Sequence, residues 1–458
     1  MNGRFWTVAA PAYLVVCLLL GGASAAGAPA NALLQIVGLG LILTWLWRRD
    51  APLPREARAL LWMAGAFLAL VLVTLIPLPP SLWAGLPFRD QILAAFQLIG
   101  MKPPAIPLSL APPSTIWSAL SLLPPAAMFL MVSSLSNEDR RGLAVPLLAV
   151  ACVSIVLGAF QLLGGTESPL RPYAITNANS PVGFFANVNH EGTLLLCSIP
   201  FIAFLAGRAA GRRSRSKRSG GAVISIAVGL FLAVGIAISG SSAGYGLFIP
   251  TALASLLIYR RAVVGRIAWP WTAGMALVML VFTVAALRGP LSSEAFAGDL
   301  GNEPASRRML AATTTRAIED SFPVGTGLGT FPTVYRRYEN PDRVTRQYAN
   351  HSHNDYLEFV LELGVAGLLL ILAFIGWWGA ALFRVWRSEV PGAGLARAAS
   401  VAVGVVLLHS IVDYPLRTSA IAALIGAACA LLVPAPRREA EASDAEPAGS
   451  DLRHLEAI

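Results

Sequence analysis

Long apolar stretches separated by short polar connections run along almost the whole chain. A helix rises about 1.5 Å per residue, so about 20 apolar residues cross the hydrocarbon core of a bilayer. Twelve stretches come close to this length: residues 5–24, 30–47, 59–77, 116–135, 143–165, 191–207, 221–239, 243–259, 267–287, 356–383, 396–414 and 418–434. The pattern predicts an all-α polytopic membrane protein of about 12 transmembrane helices, with a single transmembrane domain over residues 1–434.

The composition of the chain agrees with a membrane protein and excludes an ordinary soluble domain. Of its 458 residues, 56% are hydrophobic and 13% are charged, and this charged share is about half that of soluble domains. The four cysteines lie in apolar stretches, which indicates small buried side chains rather than disulfides or thiolate metal ligands. They are Cys17, Cys152, Cys197 and Cys429.

Positive charge is distributed unevenly between the two sides of the predicted membrane domain. The net charge is +9, and basic residues are concentrated in alternate connections, most densely in "RAAGRRSRSKRSGG", which begins at Arg208. Such asymmetry marks the cytoplasmic side, so both termini are predicted to be cytoplasmic. The basic segment is interpreted as a topology determinant rather than a nucleic-acid site.

The charged tail, residues 435–458, is predicted to be disordered.

Two long connections lie on the opposite, non-cytoplasmic side of the predicted topology. Residues 78–115 are rich in proline and tryptophan and are interpreted as an interfacial loop with a short amphipathic helix around "RDQILAAFQLIG". Residues 288–355, between spans 9 and 10, form a large loop on this side with eight arginines. Two interpretations of these arginines stay open: they bind an anionic ligand such as phosphate, or they form a solvated face balanced by acidic residues.

Four of the five histidines lie on the outer, non-cytoplasmic side of the predicted topology: His190, His351, His353 and His409. Asp413 follows His409 by about one helical turn. Ionisable groups at membrane depth are costly and usually mark a transport pathway or a binding site. Because separate segments place such groups at one depth, the pattern predicts a single cavity that faces outward.

The segment "HSHNDYLE" allows three interpretations. It is a helix N-terminus, with Asn354 or Asp355 as the cap and Glu358 in the first turns. It is a metal site, with His351, His353, Asp355 and Glu358 as ligands. It carries a catalytic imidazole, because histidine removes a proton near neutral pH when a neighbour orients it. Helix capping accounts for the asparagine and the acidic residues but leaves the two histidines unexplained.

Three alternating glycines stand in "FPVGTGLGTF", residues 322–331. The spacing is not that of a dinucleotide-binding loop, and no strand–helix unit surrounds it. The glycines therefore predict turns in which the backbone approaches a neighbouring segment closely.

Four motifs follow one another along the chain. The most specific is His353-Asn354 followed, after nine residues, by Gly364-x-x-Gly367. The others are "GFFANVNHEG" (183–192), "SRRMLAATTTRAIEDSFPVGTGLGTF" (306–331) and "LHSIVDYPL" (408–416). Together they cover residues 180–420 and resemble, in the same order, the motifs of the O-antigen ligase and polymerase superfamily of bacterial envelope glycosyltransferases, in which a catalytic histidine enters a membrane helix after a large periplasmic loop.

The resemblance implies a membrane fold of the GT-C type and a donor that is a glycan linked to undecaprenyl diphosphate. The glycan moves, with inversion at the anomeric carbon, to an acceptor sugar at the periplasmic face of the inner membrane. The acceptor is the lipid A-core in a ligase and another lipid-linked glycan in an O-antigen or exopolysaccharide polymerase. Such enzymes need no metal or cofactor. The motifs lean towards a ligase and leave the polymerase open, and a polysaccharide-related transporter is the alternative from another class.

The resemblance also implies roles for particular residues. His353 is the expected catalytic base, and Arg308 is expected to bind the diphosphate. The expected substrate contacts are His351, Asn354, Arg307, Arg316, Asn187, Asn189, His190, His409 and Asp413. Two positions depart from the family pattern. Ala243 stands where the family has an arginine implicated in binding pyrophosphate. Another arginine of the loop, or Arg171, is therefore expected to bind it. Ala312 stands where the family often has a tryptophan.

Overall fold

A computed structural model of the protein describes residues 2–24, 27–48, 53–211, 215–265, 307–339, 349–390 and 392–436. Eight of its helices are long and apolar enough to cross a membrane: Ala28–Arg48, Arg55–Thr74, Pro112–Ser133, Asn137–Leu163, Val188–Ala210, Ser219–Ser239, Ser242–Val264 and Asp355–Arg387. Three shorter apolar helices cover Arg4–Leu20, Ala393–His409 and Ser419–Leu431.

These helices coincide with all but one of the twelve predicted stretches, and the prediction of an all-α polytopic membrane protein is confirmed. The ninth stretch, residues 267–287, lies outside the described residues, as do the first part of the large loop and the tail from residue 437 onward.

In chain order the helices are α1 (Asn2–Leu20), α2 (Ala28–Arg48), α3 (Arg55–Thr74), α4 (Pro80–Trp83), α5 (Asp90–Leu98), α6 (Pro112–Leu120), α7 (Leu123–Ser133), α8 (Asn137–Arg141), α9 (Ala144–Leu163), α10 (Val188–Ala210), α11 (Arg215–Ser239), α12 (Ser242–Val264), α13 (Arg307–Ser321), α14 (Phe331–Tyr335), α15 (Asp355–Arg387), α16 (Ala393–His409) and α17 (Ser419–Leu431).

The loop of residues 78–115 has some regular structure of its own. Two short strands, β1 (Pro77–Leu78) and β2 (Ile106–Pro107), pair antiparallel, with Pro77 opposite Pro107. Helix α5 coincides with the predicted amphipathic helix. Arg89, just before α5, donates to the carbonyl oxygens of Pro107 and Leu108 and thereby ties the two halves of the loop together.

Helices α10 and α17 form the centre of the packed core. Helix α10 contacts α9, α11, α12 and α16, and α17 contacts α1, α7 and α16. Small residues bring these helices close together. A Cβ atom on Gly207 would lie 2.6 Å from the Cβ atom of Ala262, and one on Gly426 would lie 2.3 Å from the Pro125 carbonyl oxygen. Such close packing is a main source of association between membrane helices.

Helix α15 is interrupted at Gly364, where φ is 58° and ψ is −142°. The glycine-rich segment 323–329 docks at this break. Thr326 and Gly327 donate their backbone N–H groups to the Glu362 carbonyl oxygen, at 3.1 and 2.8 Å. A Cβ atom on Gly364 would lie 2.1 Å from the carbonyl oxygen of Pro323. The prediction of close backbone approach at these glycines is confirmed, and the docked segment fixes where the first part of α15 points.

Candidate functional site

The segments that precede α15 and follow α16 are hydrogen-bonded to each other. Asn354 caps α15, since its Oδ1 accepts from the Leu357 N–H at 2.9 Å. The Nδ2 atom of Asn354 donates to the carbonyl oxygen of Ile411, and the Asp355 N–H donates to that of Ser410, at 2.8 and 3.0 Å. The predicted capping role is confirmed, and the "HSHND" segment is held against the "HSIVD" segment.

Four polar side chains from different parts of the chain surround the buried carboxylate of Asp413. Asn189 Nδ2 donates to Asp413 Oδ2 at 2.7 Å. His353 Nδ1 lies 3.4 Å and His190 Nε2 lies 3.7 Å from Oδ1. Arg307 Nη2 lies 3.6 Å from Oδ2. The carboxylate thus joins the start of α10, the start of α13, the segment before α15 and the segment after α16.

Helix capping positions the amide that holds Asp413. Asn187 is the cap of α10, and its side chain accepts from the N–H of Asn189 at 2.9 Å. The Ser241 hydroxyl caps α12 by accepting from the Gly244 N–H, and it donates to Asn189 Oδ1 at 2.6 Å. Because the Oδ1 atom of Asn189 accepts from Ser241, the Nδ2 atom is the end of the amide that faces the Asp413 carboxylate.

The surroundings of Asp413 favour its ionised form. Asp413 lies in the connection after α16, outside the spanning helices. Burial alone would raise the pKa of its carboxyl group, but the contacts and charge of His190 and His353 hold that pKa well below its usual value. A fixed negative charge therefore lies beside both imidazoles at neutral pH.

His353 is the reachable histidine of this cluster. Its side chain is 26% exposed, whereas that of His190 is 2% exposed. The φ angle of His353 is 52°, a left-handed conformation that few residues other than glycine adopt. Strained backbone of this kind concentrates at functional sites. With Nδ1 facing Asp413, Nε2 is the nitrogen left to accept a proton from outside.

Tyr414 lies among three imidazole rings. Its ring centroid is 4.3 Å from that of His351, 4.8 Å from that of His353 and 5.0 Å from that of His190. The contacts with His190 and His353 are edge-to-face. The phenol ring therefore separates the histidines and fixes the planes of two of them.

A second polar group centres on Arg417, in the 3-10 turn Pro415–Arg417. Its guanidinium lies 3.5 Å from Asp355, 3.4 Å from Glu358 and 3.2 Å from Glu362. Burial would lower the pKa of Arg417, but the three carboxylates outweigh it and raise that pKa. Glu358 Oε1 also lies 2.8 Å from His351 Nδ1, so that the second histidine belongs to this group rather than to that of Asp413.

Glu362 links the Arg417 group to the break in α15. Its Oε1 accepts from the backbone N–H of Gly329 at 2.7 Å, and its Oε2 accepts from Arg417 at 3.2 Å. The side chain is fully buried. The docked glycine segment and the turn after α16 are thus held by one carboxylate.

The arginines of α13 have different surroundings. The buried face of this helix carries Leu310, Thr314 and Ala317, and Arg307 lies on the same face, one turn before Leu310. Arg307 is 18% exposed and contacts Asp413. Arg308 is exposed and has no ion pair with Asp413, and Arg316 further along the helix is also exposed. The structure therefore brings Arg307, rather than Arg308, to the histidine cluster.

His409 is buried in the core below the cluster. Its Nδ1 lies 2.7 Å from the Thr193 hydroxyl, which donates to the carbonyl oxygen of Asn189 at 2.9 Å. With the hydroxyl proton used in this way, Nδ1–H of His409 is the donor to Thr193. In this conformation His409 contacts protein only, and it supports the α10 segment that carries Asn189 and His190.

Three residues of the site were missed in the sequence: Tyr414, Glu362 and Arg417. A signal for Glu362 is present, because Glu358 and Glu362 are one helical turn apart in an apolar helix and so share a face at membrane depth. Two such carboxylates require a cation, and Arg417 is next to the predicted Asp413 segment. Tyr414 carries no comparable signal.

No group of three or more His, Cys, Asp or Glu side chains in the described part of the chain is arranged to hold a metal ion. The histidines that a metal site would share are directed to different partners. His351 is bound to Glu358, and His353 faces Asp413. The metal interpretation of "HSHNDYLE" therefore gains no support from the described residues.

The fold and the site define a polytopic helical membrane protein with a cluster of histidines, an aspartate and an arginine at one end of its helices. Residues 182–372 match the model of the family described as O-antigen ligase, which confirms the resemblance to the O-antigen ligase and polymerase superfamily. That family implies a membrane enzyme of the glycosyltransferase-like ligase or polymerase type. No curated protein matches the chain.

Proposed function

We propose that the protein transfers a glycan from an undecaprenyl diphosphate-linked donor to a hydroxyl group of an acceptor sugar. The contact of the partly exposed His353 with the buried, ionised Asp413 carries this proposal. The match to the O-antigen ligase family supports it. In the proposed setting the chain spans the bacterial inner membrane, both termini are cytoplasmic and the site faces the periplasm.

His353 is the proposed general base. The acceptor oxygen attacks C1 of the donor sugar, the bond between C1 and the diphosphate oxygen breaks, and the hydroxyl proton passes to Nε2 of His353. The polyprenyl diphosphate leaves with the bonding electrons. A single displacement of this kind inverts the configuration at C1. Asp413 orients the imidazole and stabilises its protonated form.

The diphosphate is assigned to the arginines at the start of α13. Developing negative charge on the leaving group needs a fixed cation, and a guanidinium matches the phosphate oxygens. Arg307 is 3.6 Å from Asp413, within the cluster, and Arg308 is exposed beside it, where an incoming lipid diphosphate can reach it. In this proposal the guanidinium groups stabilise the negative charge of the leaving diphosphate, a role that a metal ion has in other enzymes.

Arg171 is a poor substitute for the arginine that the family has at Ala243. Its guanidinium donates to the carbonyl oxygens of Asn177, Ala178 and Ser180, so it is used within its own loop. Arg307 has no such backbone partners, and its one ion pair with a described residue is the contact with Asp413. This difference favours Arg307 for the diphosphate.

The other predicted contacts are proposed to act in two ways. His351 and Asn354 lie at the partly exposed rim beside His353 and are proposed to contact the sugars, together with Arg316 on the exposed face of α13. The inner group is proposed to position the base and the cation rather than to touch substrate. It consists of the buried residues Asn189, His190, His409 and Asp413 and the partly exposed Asn187, the cap of α10.

The acceptor separates the two versions of the proposed enzyme. A ligase transfers to the lipid A-core, and a polymerase transfers to another lipid-linked glycan, and the leading assignment is the ligase. A transporter is less well supported, because the ionisable cluster lies at one end of the helices, whereas transporter sites lie near the midplane.

The experiment that tests the proposal is reconstitution of the purified protein in liposomes with a labelled undecaprenyl diphosphate glycan. The proposal predicts transfer of label to an added acceptor and release of undecaprenyl diphosphate. Lipid A-core and a second lipid-linked glycan are supplied separately, so that the preferred acceptor tells ligase from polymerase. Glycan uptake into sealed vesicles without transfer to either acceptor would establish a transporter and overturn the proposal.

A further inference from the structure

A basic cavity lies at the end of the helices opposite the histidine cluster. Its volume is about 450 Å³, and the ends of α10, α12 and the start of α16 line it. His190 and Arg208 mark the two ends of α10, roughly 27 Å apart along the helix. The cavity is therefore separate from the proposed active site.

Four arginines and one acidic residue lie around this cavity: Arg141, Arg208, Arg261, Arg397 and Glu389. The lining thus carries an excess of positive charge. Arg208 stacks on the ring of Phe204, with its Cζ atom 5.8 Å from the ring centroid. Arginines at the ends of membrane helices commonly serve topology alone, but such residues point into solvent rather than converge on a cavity.

Arg397 is the arginine that topology does not explain. Its side chain is buried, and no carboxylate of the described residues pairs with it. Its Nε donates to the carbonyl oxygen of Val385 and its Nη2 to that of Ser388. These bonds leave Nη1 without an acceptor among the described residues, and Arg397 is part of the cavity lining. A buried cation with an unused donor is costly unless an anion completes its surroundings.

Arg141 and Arg261 add to this unsatisfied charge. Neither side chain makes a hydrogen bond or an ion pair with any described residue. The preceding residue, Arg140, shows the contrast, because its guanidinium donates to the carbonyl oxygens of Val132, Ser133 and Val433 and is used by the fold. Arg261 lies near enough to Arg397 to repel it.

We propose that this cavity binds a phosphate-bearing anion, with Arg397 at its base and Arg141 and Arg261 at its sides. Converging guanidinium groups between membrane helices suit the phosphate of an anionic lipid headgroup. A free phosphate has the same recognition chemistry, so the test separates the two sources. The inference is independent of the reaction proposed for the opposite end.

The test is native mass spectrometry of the delipidated full-length protein, titrated in parallel with phosphatidylglycerol, phosphatidylcholine and inorganic phosphate. The site variant is Arg141→Gln with Arg261→Gln, which leaves the bonds of Arg397 to the backbone intact. The matched control is Arg260→Gln with Arg387→Gln, since both of these arginines are exposed, lie outside the cavity lining and make the same change in charge.

We expect saturable binding of phosphatidylglycerol in preference to phosphatidylcholine. At about a fivefold loss per arginine, the site variant binds about 25-fold more weakly than the control. Binding of inorganic phosphate alone, with the same loss in the site variant, assigns the cavity to a soluble anion. Absence of binding by all three probes, or an equal loss in the control, would overturn the proposal.

Discussion

The Nδ1 atom of His353 lies 3.4 Å from Oδ1 of Asp413, although His353 precedes α15 and Asp413 follows α16. The hydrogen bonds of Asn354 to Ile411 and of Asp355 to Ser410 hold these segments in register. The imidazole thus has one nitrogen against a fixed negative charge and the other on the exposed side. This arrangement suits a base that must accept a proton from an incoming hydroxyl.

Replacing Asp413 with asparagine tests whether the carboxylate orients the base. The change preserves shape and removes the charge beside His190 and His353. We expect transfer to fall about 100-fold. The loss is expected in kcat rather than in KM, because Asp413 acts on the imidazole and does not touch the acceptor. The measurement is steady-state kinetics at one pH, with Asp320→Asn on the exposed side of α13 as the control. A wild-type kcat in Asp413→Asn would contradict this role.

The two adjacent arginines of α13 are predicted to differ. Arg307→Ala removes the guanidinium of the cluster and lowers the transfer rate about 100-fold, because leaving-group charge is then poorly stabilised. Arg308→Ala changes an exposed side chain, and its smaller effect is expected mainly in KM for the lipid donor. Steady-state kinetics on both variants distinguish them. A larger loss of kcat in Arg308→Ala would show that the outward arginine binds the reacting diphosphate.

Gly364 is predicted to be irreplaceable because of its backbone. Alanine there meets a positive φ with a ψ of −142°, a backbone conformation close to the glycine-only region that costs about 1–3 kcal/mol, as well as the Pro323 carbonyl oxygen at 2.1 Å. We expect Gly364→Ala to lower the melting temperature by several degrees and to reduce activity by moving His353. Gly379→Ala is the control in the same helix, since a Cβ atom there has no neighbour within 4 Å. Equal melting temperatures for the two variants would refute the account of the break.

Arg417 is predicted to be a major source of stability. Arg417→Ala leaves Asp355, Glu358 and Glu362 buried without their common cation, and breaking such a group costs about 3–5 kcal/mol. Thermal unfolding in detergent measures the loss. Arg337→Ala removes an arginine whose partner, Asp90, is exposed, and we expect little change there. A stable Arg417→Ala protein would mean that the three carboxyl groups are neutral when buried.

Much of this architecture could be predicted from the sequence, for physical reasons that apply to particular segments. Lipid forces every backbone group in a span to bond internally, so apolar length alone located the helices. The common depth of His190, His353 and Asp413 predicted one cluster. The inward position of Arg307 could not be predicted in this way. It depends on which face of α13 packs against α15, and the motif does not determine that face.

The break in α15 could be anticipated only in part. The glycines of "PVGTGLG" predicted a close backbone contact but not the segment that makes it. Nothing in the glycine segment itself identifies the Leu361 and Glu362 carbonyl groups as its hydrogen-bond acceptors. Likewise, Arg417 reaches its three carboxylates only because the turn after α16 lies against the start of α15. Contacts between segments distant in the chain carry these features.

The central claim is that His353 removes the proton of the acceptor. The most direct measurement compares glycan transfer by purified wild-type, His353→Ala and His351→Ala proteins in the same liposomes, at matched amounts of folded protein judged by melting temperature. The account predicts a loss of at least about 100-fold for His353→Ala and a smaller loss for His351→Ala, whose imidazole is bound to Glu358. A folded His353→Ala protein that transfers glycan at the wild-type rate would contradict it.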